Sequence, residues 1–280
     1  MNNILDKSVI EIINEKYDKL FSAEKKVVNV VLKEPQSVVN MNVSALAKES
    51  KVSVATVVRM CNHLGYQGYY QFRITLARDL GRKQGSSSEE IKGNDDIMGI
   101  FKEYANTILS IGKSLDENVM LQCVNLIKNC NQAHIMAMGN TAPLAQYMGF
   151  RLGRLGVKCT YNIAPEYFMN HVNLADEEDI IIAISQSGTS RSIVQGMELA
   201  IEKGLKSIAI TGHRSSQVAE LADYLLLSSG LEESFNFYKG YAHLNETAVI
   251  DALLELVTNQ DRIIKHNADK PEIILAENKY

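Results

Sequence analysis

No apolar run in this 280-residue chain reaches the ~18 residues of a membrane span. With Asp6, Glu11 and Glu15 early, the N-terminus also lacks a signal peptide's basic-then-apolar plan. These two absences exclude a membrane partner and lead to the expectation of a cytoplasmic protein. Cysteine is scarce and scattered. Cys61, Cys123, Cys130 and Cys159 form no Cys-x-x-Cys pair, and no histidine set stands near them at metal-ligand spacing. The expectation is reduced thiols used for packing, with neither a metal nor a cofactor.

What is present fits a globular protein of about two domains, because 46% of residues are hydrophobic and 22% charged. The charge is unevenly placed. Residues 1–83 hold 13 Lys and Arg against 8 Asp and Glu, so they carry +5 while the remainder carries −9. A basic N-terminal part on an acidic chain points to a polyanionic partner for that part.

Ile4, Val9, Ile12, Ile13, Tyr17 and Leu20 recur at helical spacing. A second helix is expected from an N-cap at Ser22, with Glu24 in its first turn, Val27, Val28, Val31 and Leu32 inward, and Pro35 at its end. Residues 42–64 then read as a helix-turn-helix. Leu46 and Ala47 point inward from a short helix, Ser50 and Lys51 make a tight turn, and Ser53 caps a second helix with Val57, Val58 and Leu64 inward. In such motifs the second helix enters the major groove by its N-terminal residues. Ser53, Val54, Ala55, Thr56 and Arg59 would face DNA, with Lys48 and Lys51 adding phosphate charge. A lysine at the tight turn, where glycine is common, costs about 1 kcal/mol if its φ is positive.

Residues 81–94 are polar and rich in Gly and Ser, which predicts a linker between a domain over 1–80 and one over 95–270. Helices are expected around Ile97–Ile111 and Val119–Ile127, and an α/β pattern follows. Strands are predicted at residues 135–138, 157–161, 179–184, 207–210 and 225–227, alternating with helices as a parallel sheet flanked on both faces requires. The third strand is the informative one. Ile180, Ile181, Ile182, Ala183 and Ile184 are apolar without interruption, then Ser185, Gln186, Ser187, Gly188, Thr189 and Ser190 form a hydroxyl-rich loop before a helix with Ile193, Val194, Met197 and Ala200 inward. A strand's carboxyl end feeding a helix N-terminus is an anion site, so a phosphorylated small molecule is the natural ligand. A helix cap alone needs one hydroxyl, and this loop has four. Gly139, Asn140 and Thr141 end the first strand in a similar turn, and residues 211–216 end the fourth.

The helix-turn-helix, followed by Leu64, Gly65, Tyr66, Gln67, Gly68 and Tyr69, resembles the DNA-binding domain of RpiR-type transcriptional regulators over residues 20–83. The later part is similar to the sugar isomerase (SIS) domain that such regulators carry, over about residues 100–260. The serine loop matches its signature at Ser185, Ser187, Gly188 and Ser190, and Ser216 to Ala219 with Ala222 and Asp223 resembles another segment, with Gln217 for proline. The resemblance implies that Ser185, Ser187, Ser190 and the Thr189 backbone hold a phosphate, and that Asn140 and Thr141 contact the sugar or the same phosphate. It implies a homodimer or homotetramer that binds operator DNA and a phosphorylated sugar effector. Isomerisation needs a general base. Glu166, His171, His213, His243 and Glu246 offer such groups, but none sits in a catalytic motif. His243 and Glu246, three apart on a C-terminal helix, are read as a solvated face or as a contact to ligand from a neighbouring subunit. The alternative function is a sugar-phosphate isomerase with a helical N-terminal appendage.

Overall fold

The computed structural model describes residues 7–87, 97–230 and 243–259, with residues 270, 273–274 and 276 beyond them. The described residues up to Ser87 belong to one compact unit, and those from Ile97 to another.

The first unit is helical. It comprises α1 (Val9–Lys16), a short 3₁₀ turn (Tyr17–Lys19), α2 (Ser22–Lys33), α3 (Pro35–Asn40), α4 (Val43–Glu49), α5 (Val54–Leu64) and α6 (Tyr69–Ser87). Residues 4–6 of the first expected helix lie outside the described residues. At α1, Ser8 and Glu11 form a reciprocal capping box, the backbone N–H of Ser8 donating to Glu11 Oε2 at 2.7 Å. At α2 the expectation of a Ser22 cap is corrected. Phe21 occupies the N-cap, its N–H donates to Glu24 Oε2 at 3.1 Å, and Ser22 is the first helical residue. A carboxylate three residues on satisfies the cap's own N–H, a device that needs no hydroxyl at the cap. Pro35 follows the end of α2 and opens α3, where its missing N–H costs nothing. Val27, Val28, Val31, Leu46, Val57, Met60, Leu64, Phe72 and Leu76 make the core, while Val58 is only half-buried.

The turn between α4 and α5 is closed by Lys51, whose φ of 53° is left-handed. Its N–H donates to Lys48 O at 3.1 Å, and that of Val52 to Ala47 O at 2.9 Å, which satisfies the last carbonyls of α4. Lysine pays for this backbone conformation where glycine would not. Lys51→Gly is therefore expected to raise the stability of this unit by about 0.5–1 kcal/mol in urea unfolding while weakening DNA binding through the lost charge.

The expected linker is corrected over its first half. α6 runs without a break through Gly81 to Ser87. Its two glycines, Gly81 and Gly85, each cost about 1 kcal/mol in a helix, which the helix formers around them offset. Residues 88–94 of that linker lie outside the described residues.

The second unit contains α7 (Ile97–Ser114), α8 (Glu117–Asn129), β1 (Ala133–Ala137), a 3₁₀ turn (Gly139–Thr141), α9 (Ala142–Arg154), β2 (Cys159–Thr160), α10 (Pro165–Leu174), β3 (Ile180–Ile184), α11 (Arg191–Glu202), β4 (Lys206–Thr211), α12 (Gln217–Leu221), β5 (Tyr224–Leu227) and α13 (Leu244–Asn259). The strands form one parallel sheet in the order β2-β1-β3-β4-β5. β2 is shorter than the predicted 157–161, because an edge strand has one neighbour and pairs only at Cys159 and Thr160. β3 is central and buried throughout. Alternation divides its residues between two cores: Ile180, Ile182 and Ile184 meet α8, α9 and α13, whereas Ile181 and Ala183 face the layer of α10, α11 and α12.

Candidate functional site

The strand order places the ligand edge. From β1 the chain moves outward to β2, then crosses back to β3, so the topological switch lies between β1 and β3, where crevices form outside the carboxyl ends. The turn Gly139–Thr141 and the loop Ser185–Ser190 flank that switch, and Thr211 ends the adjacent β4.

The loop is fixed by its backbone. Ser185 N–H donates to Ile210 O at 3.0 Å, Gly188 N–H to Ser185 O at 3.0 Å, and Gln186 O accepts from Gly212 N–H at 3.0 Å. Gly188 has a φ of 60°, and a Cβ there would overlap Ser216 and lie 2.9 Å from Thr211 Oγ1. Thr189 N–H and Oγ1 both approach Ser187 Oγ, at 3.4 and 3.1 Å. Ser190 stands at the N-cap of α11, yet its side chain makes no capping bond and lies 3.9 Å from Met138 Sδ. The capping explanation for this serine therefore fails. The first N–H groups of a 12-residue helix carry no side-chain cap there, and they combine with the helix dipole as an anion site.

On the other side of the switch, Asn140 is exposed and Gly139 takes a left-handed φ of 57°. Thr141 is buried. Its hydroxyl lies 3.0 Å from Met138 O and 3.1 Å from Ile184 O, so its one hydrogen braces the ends of β1 and β3 and only its lone pairs remain for a ligand.

Glu246 corrects the sequence reading most. It is 1% exposed, so it is no solvated face; Ser228, after β5 in the same chain, donates to its Oε1 at 2.9 Å. Glu246 Oε2, His243 Nδ1 and Ser229 Oγ are buried without a hydrogen-bond partner among the described residues. Burial raises the Glu246 carboxyl above its ordinary value, against the opposing pull of a backbone hydrogen bond, Ser228 and His243. A carboxyl raised on folding contributes stability below its unfolded value and loses that contribution as pH rises through the folded value. Glu246→Gln keeps an acceptor for Ser228 and removes the charge. Its thermal midpoint is expected to match wild type near pH 4 and exceed it by about 2–4 °C near pH 7, the scale of ~1 kcal/mol in a domain this size.

Of the remaining candidate acids and bases, His213 lies in the loop after β4 at this edge, its N–H donating to Thr211 Oγ1 at 3.4 Å, whereas His171 does not lie there. His171 stacks on His134 with ring centroids 6.1 Å apart, beside the amino ends of β1 and β3. There His134 bonds Thr160 at 2.9 Å and Asp179 at 3.3 Å, and burial lowers its pKa. Glu166 is exposed in the first turn of α10.

In the helical unit, α4 and α5 form the expected helix-turn-helix. Asn42 Oδ1 caps α4 by accepting from Ala45 N–H at 2.7 Å, and Ser53 Oγ caps α5 by accepting from Thr56 N–H at 3.2 Å. Lys48, Lys51, Ser53, Val54, Ala55 and Arg59 are all exposed. Thr56 is not. It is buried, with its hydroxyl 3.0 Å from Ser53 Oγ, because position three of the helix turns back towards the cap.

Two family models match this chain, a helix-turn-helix domain of the rpiR family over residues 7–83 and a SIS domain over residues 126–256. An HTH-type transcriptional regulator of Thermotoga maritima is 26% identical over 278 residues, 97% of this chain and 99% of its own. HexR, an HTH-type transcriptional regulator of Pseudomonas aeruginosa, is 29% identical over 260 residues, 90% of each. The chain joins a helix-turn-helix domain of the rpiR family to a SIS domain. The fold of this RpiR-type regulator is shared with Vibrio vulnificus NanR, solved in complex with ManNAc-6P, at a TM-score of 0.78 and 18% identity over 97% of this chain and 98% of that one.

Sequence reasoning missed Ser228 in this regulator. It follows an ordinary apolar strand, and only the tertiary fold brings its hydroxyl to Glu246.

Proposed function

We propose that this RpiR-type regulator binds a phosphorylated sugar at the β1/β3 switch and that binding changes the affinity of a homodimer for operator DNA. One observation carries the reading. A hydroxyl-rich loop leads into an α11 N-terminus left without a side-chain cap, on the same chain as an exposed reading helix. In this reading Ser185, Ser187, Ser190 and the Thr189 N–H hold the phosphate. Gln186 and Gly188 shape the loop, and Gly139, Asn140, Thr141 and Glu246 meet the sugar. Lys48, Lys51, Ser53, Val54, Ala55 and Arg59 contact DNA, with Thr56 acting through the cap. The site binds without turnover, since a ligand alters operator affinity by its differential affinity for two states of the protein and needs no reaction.

The test is a mobility-shift titration on DNA upstream of the protein's own gene, with and without ManNAc-6P, other hexose phosphates and pentose phosphates. One of these is expected to change operator affinity by about 5–150-fold. Conversion of a sugar phosphate by a protein that shifts no DNA at moderate salt would establish the isomerase instead. Ser185→Ala with Ser187→Ala is expected to abolish the ligand response and leave operator binding intact.

A further inference from the structure

Glu246, in the first turn of α13, is a buried carboxylate with only half of its hydrogen bonding met. Its Oε1 accepts from Ser228 Oγ at 2.9 Å, and its Oε2 accepts from nothing among the described residues. His243, three residues before it, holds a second buried atom without a hydrogen bond, Nδ1. Among the described residues His243 is also the one titratable group that pulls on the Glu246 carboxyl. A carboxylate kept from water in this way is costly to ionise unless a cation meets it.

Its place relates it to the hydroxyl-rich loop. Ser228 follows β5 at the carboxyl edge of the sheet, its N–H donating to Thr211 O at 2.9 Å. A Cβ built on Gly212 would lie 3.8 Å from Ser228 Oγ and 3.1 Å from Gln186 O. Gly212, which has no side chain, thus stands between the serine that holds Glu246 and the Ser185–Ser190 loop. The two sides are opposite in charge. The amino end of α11 offers N–H groups without a side-chain cap and the positive end of a helix dipole. The Glu246 side offers two acceptors, a carboxylate oxygen and an imidazole nitrogen, which accepts in the tautomer protonated at Nε2.

We propose that Glu246 makes the site selective for an amino-sugar phosphate with a free, protonated amine, its ammonium bound by Glu246 and His243 while the amino end of α11 takes the phosphate. The proposal rests on the phosphosugar reading above and narrows its ligand class. An ammonium has three N–H donors and no lone pair, so it serves Glu246 Oε2 and His243 Nδ1 together and supplies the countercharge. A sugar hydroxyl has one donor and no charge, and an N-acetyl group has one N–H and no charge; either leaves the carboxylate buried without a counter-ion. Burial holds the Glu246 carboxyl above its ordinary value in the free protein, and an adjacent ammonium reverses that shift. A hexosamine 6-phosphate also matches the polarity of the crevice, because its cation and its anion stand at opposite ends of one sugar.

Calorimetric titration of the full chain tests this with glucosamine, mannosamine and galactosamine 6-phosphates. Each is compared with the hexose 6-phosphate that has a hydroxyl in place of the amine, and with its own N-acetyl form. One amine form is expected to bind at least about tenfold more tightly than both of its counterparts, the scale of a charge-assisted hydrogen bond. Glu246→Gln is expected to erase that preference by weakening the amine form alone, whereas loss of a merely structural contact would weaken all three forms alike. The comparison within wild type needs no variant, so it decides even if Glu246→Gln misfolds. Equal or tighter binding of the hydroxyl or N-acetyl forms overturns this proposal alone, and so do binding of pentose phosphates only and a Glu246→Gln variant that keeps the preference. No binding of any sugar phosphate overturns the phosphosugar reading, and this proposal with it.

Discussion

Gly188→Val is expected to lower effector affinity at least about 100-fold, or ~2.7 kcal/mol, while operator binding stays at the wild-type level. The backbone at Gly188 has a φ of 60°, where a residue with a Cβ costs about 1–2 kcal/mol and a β-branched one more. Relaxing that strain in place is blocked, since the Cβ would overlap Ser216 Oγ and Cβ, which belong to the cap of α12. The loop must move instead. Its fixing bonds to the end of β4 and to α12, Gly212 N–H to Gln186 O and Val218 N–H to Gly188 O, both 3.0 Å, then break or lengthen. The serine hydroxyls lose their alignment with the amino end of α11, and misplacement of about 1 Å is enough for a 100-fold effect. Calorimetric titration with the effector found in the mobility-shift test measures this. A variant that binds that effector as tightly as wild type removes the Ser185–Ser190 loop from the site.

Arg59→Glu is expected to weaken operator binding at least about 100-fold, without altering effector affinity. Arg59 is exposed on α5, held along its first turns by long contacts from Nε to Ala55 O at 3.4 Å and from Nη2 to Thr56 Oγ1 at 3.5 Å. Reversing its charge removes a phosphate or guanine contact and adds repulsion against the same backbone. The substitution is on the surface of a helix whose core contacts come from Val57, Met60, Cys61 and Leu64, so the unit should stay folded. A mobility shift equal to wild type would take α5 out of the DNA interface. Arg59→Ala is the milder case, and the salt dependence of its binding should flatten by about one charge if Arg59 meets a phosphate.

The two cores were legible because their patterns are local. Five uninterrupted apolar residues from Ile180 can only be a strand buried on both faces, and that strand is the centre of the sheet. The helix-turn-helix was legible through its inward residues and its cap at Ser53, all within one short segment. Where two local devices satisfy the same backbone, the sequence did not choose between them. Phe21 caps α2 through Glu24 although Ser22 stands beside it, and α6 passes Gly81 although glycine and serine follow. Thr56 looked outward by its polarity, but its hydroxyl is bonded to Ser53 in the buried first turn of the helix.

By itself the sequence determined the strand-to-loop transition at Ile184, the hydroxyl chemistry of Ser185 to Ser190 and the helix that reads DNA. These depend on residue spacing within a few turns of chain, where periodicity and capping act. The tertiary structure alone decided that β1, β3 and β4 are neighbours, so that three separate loops share one edge. It alone turned Thr141 into a brace between two strands and buried Glu246 against Ser228. The physical reason is the same in each case. Burial and partnership are set by which segments meet across the sheet, between residues 18 to 43 positions apart, and no local pattern records that meeting.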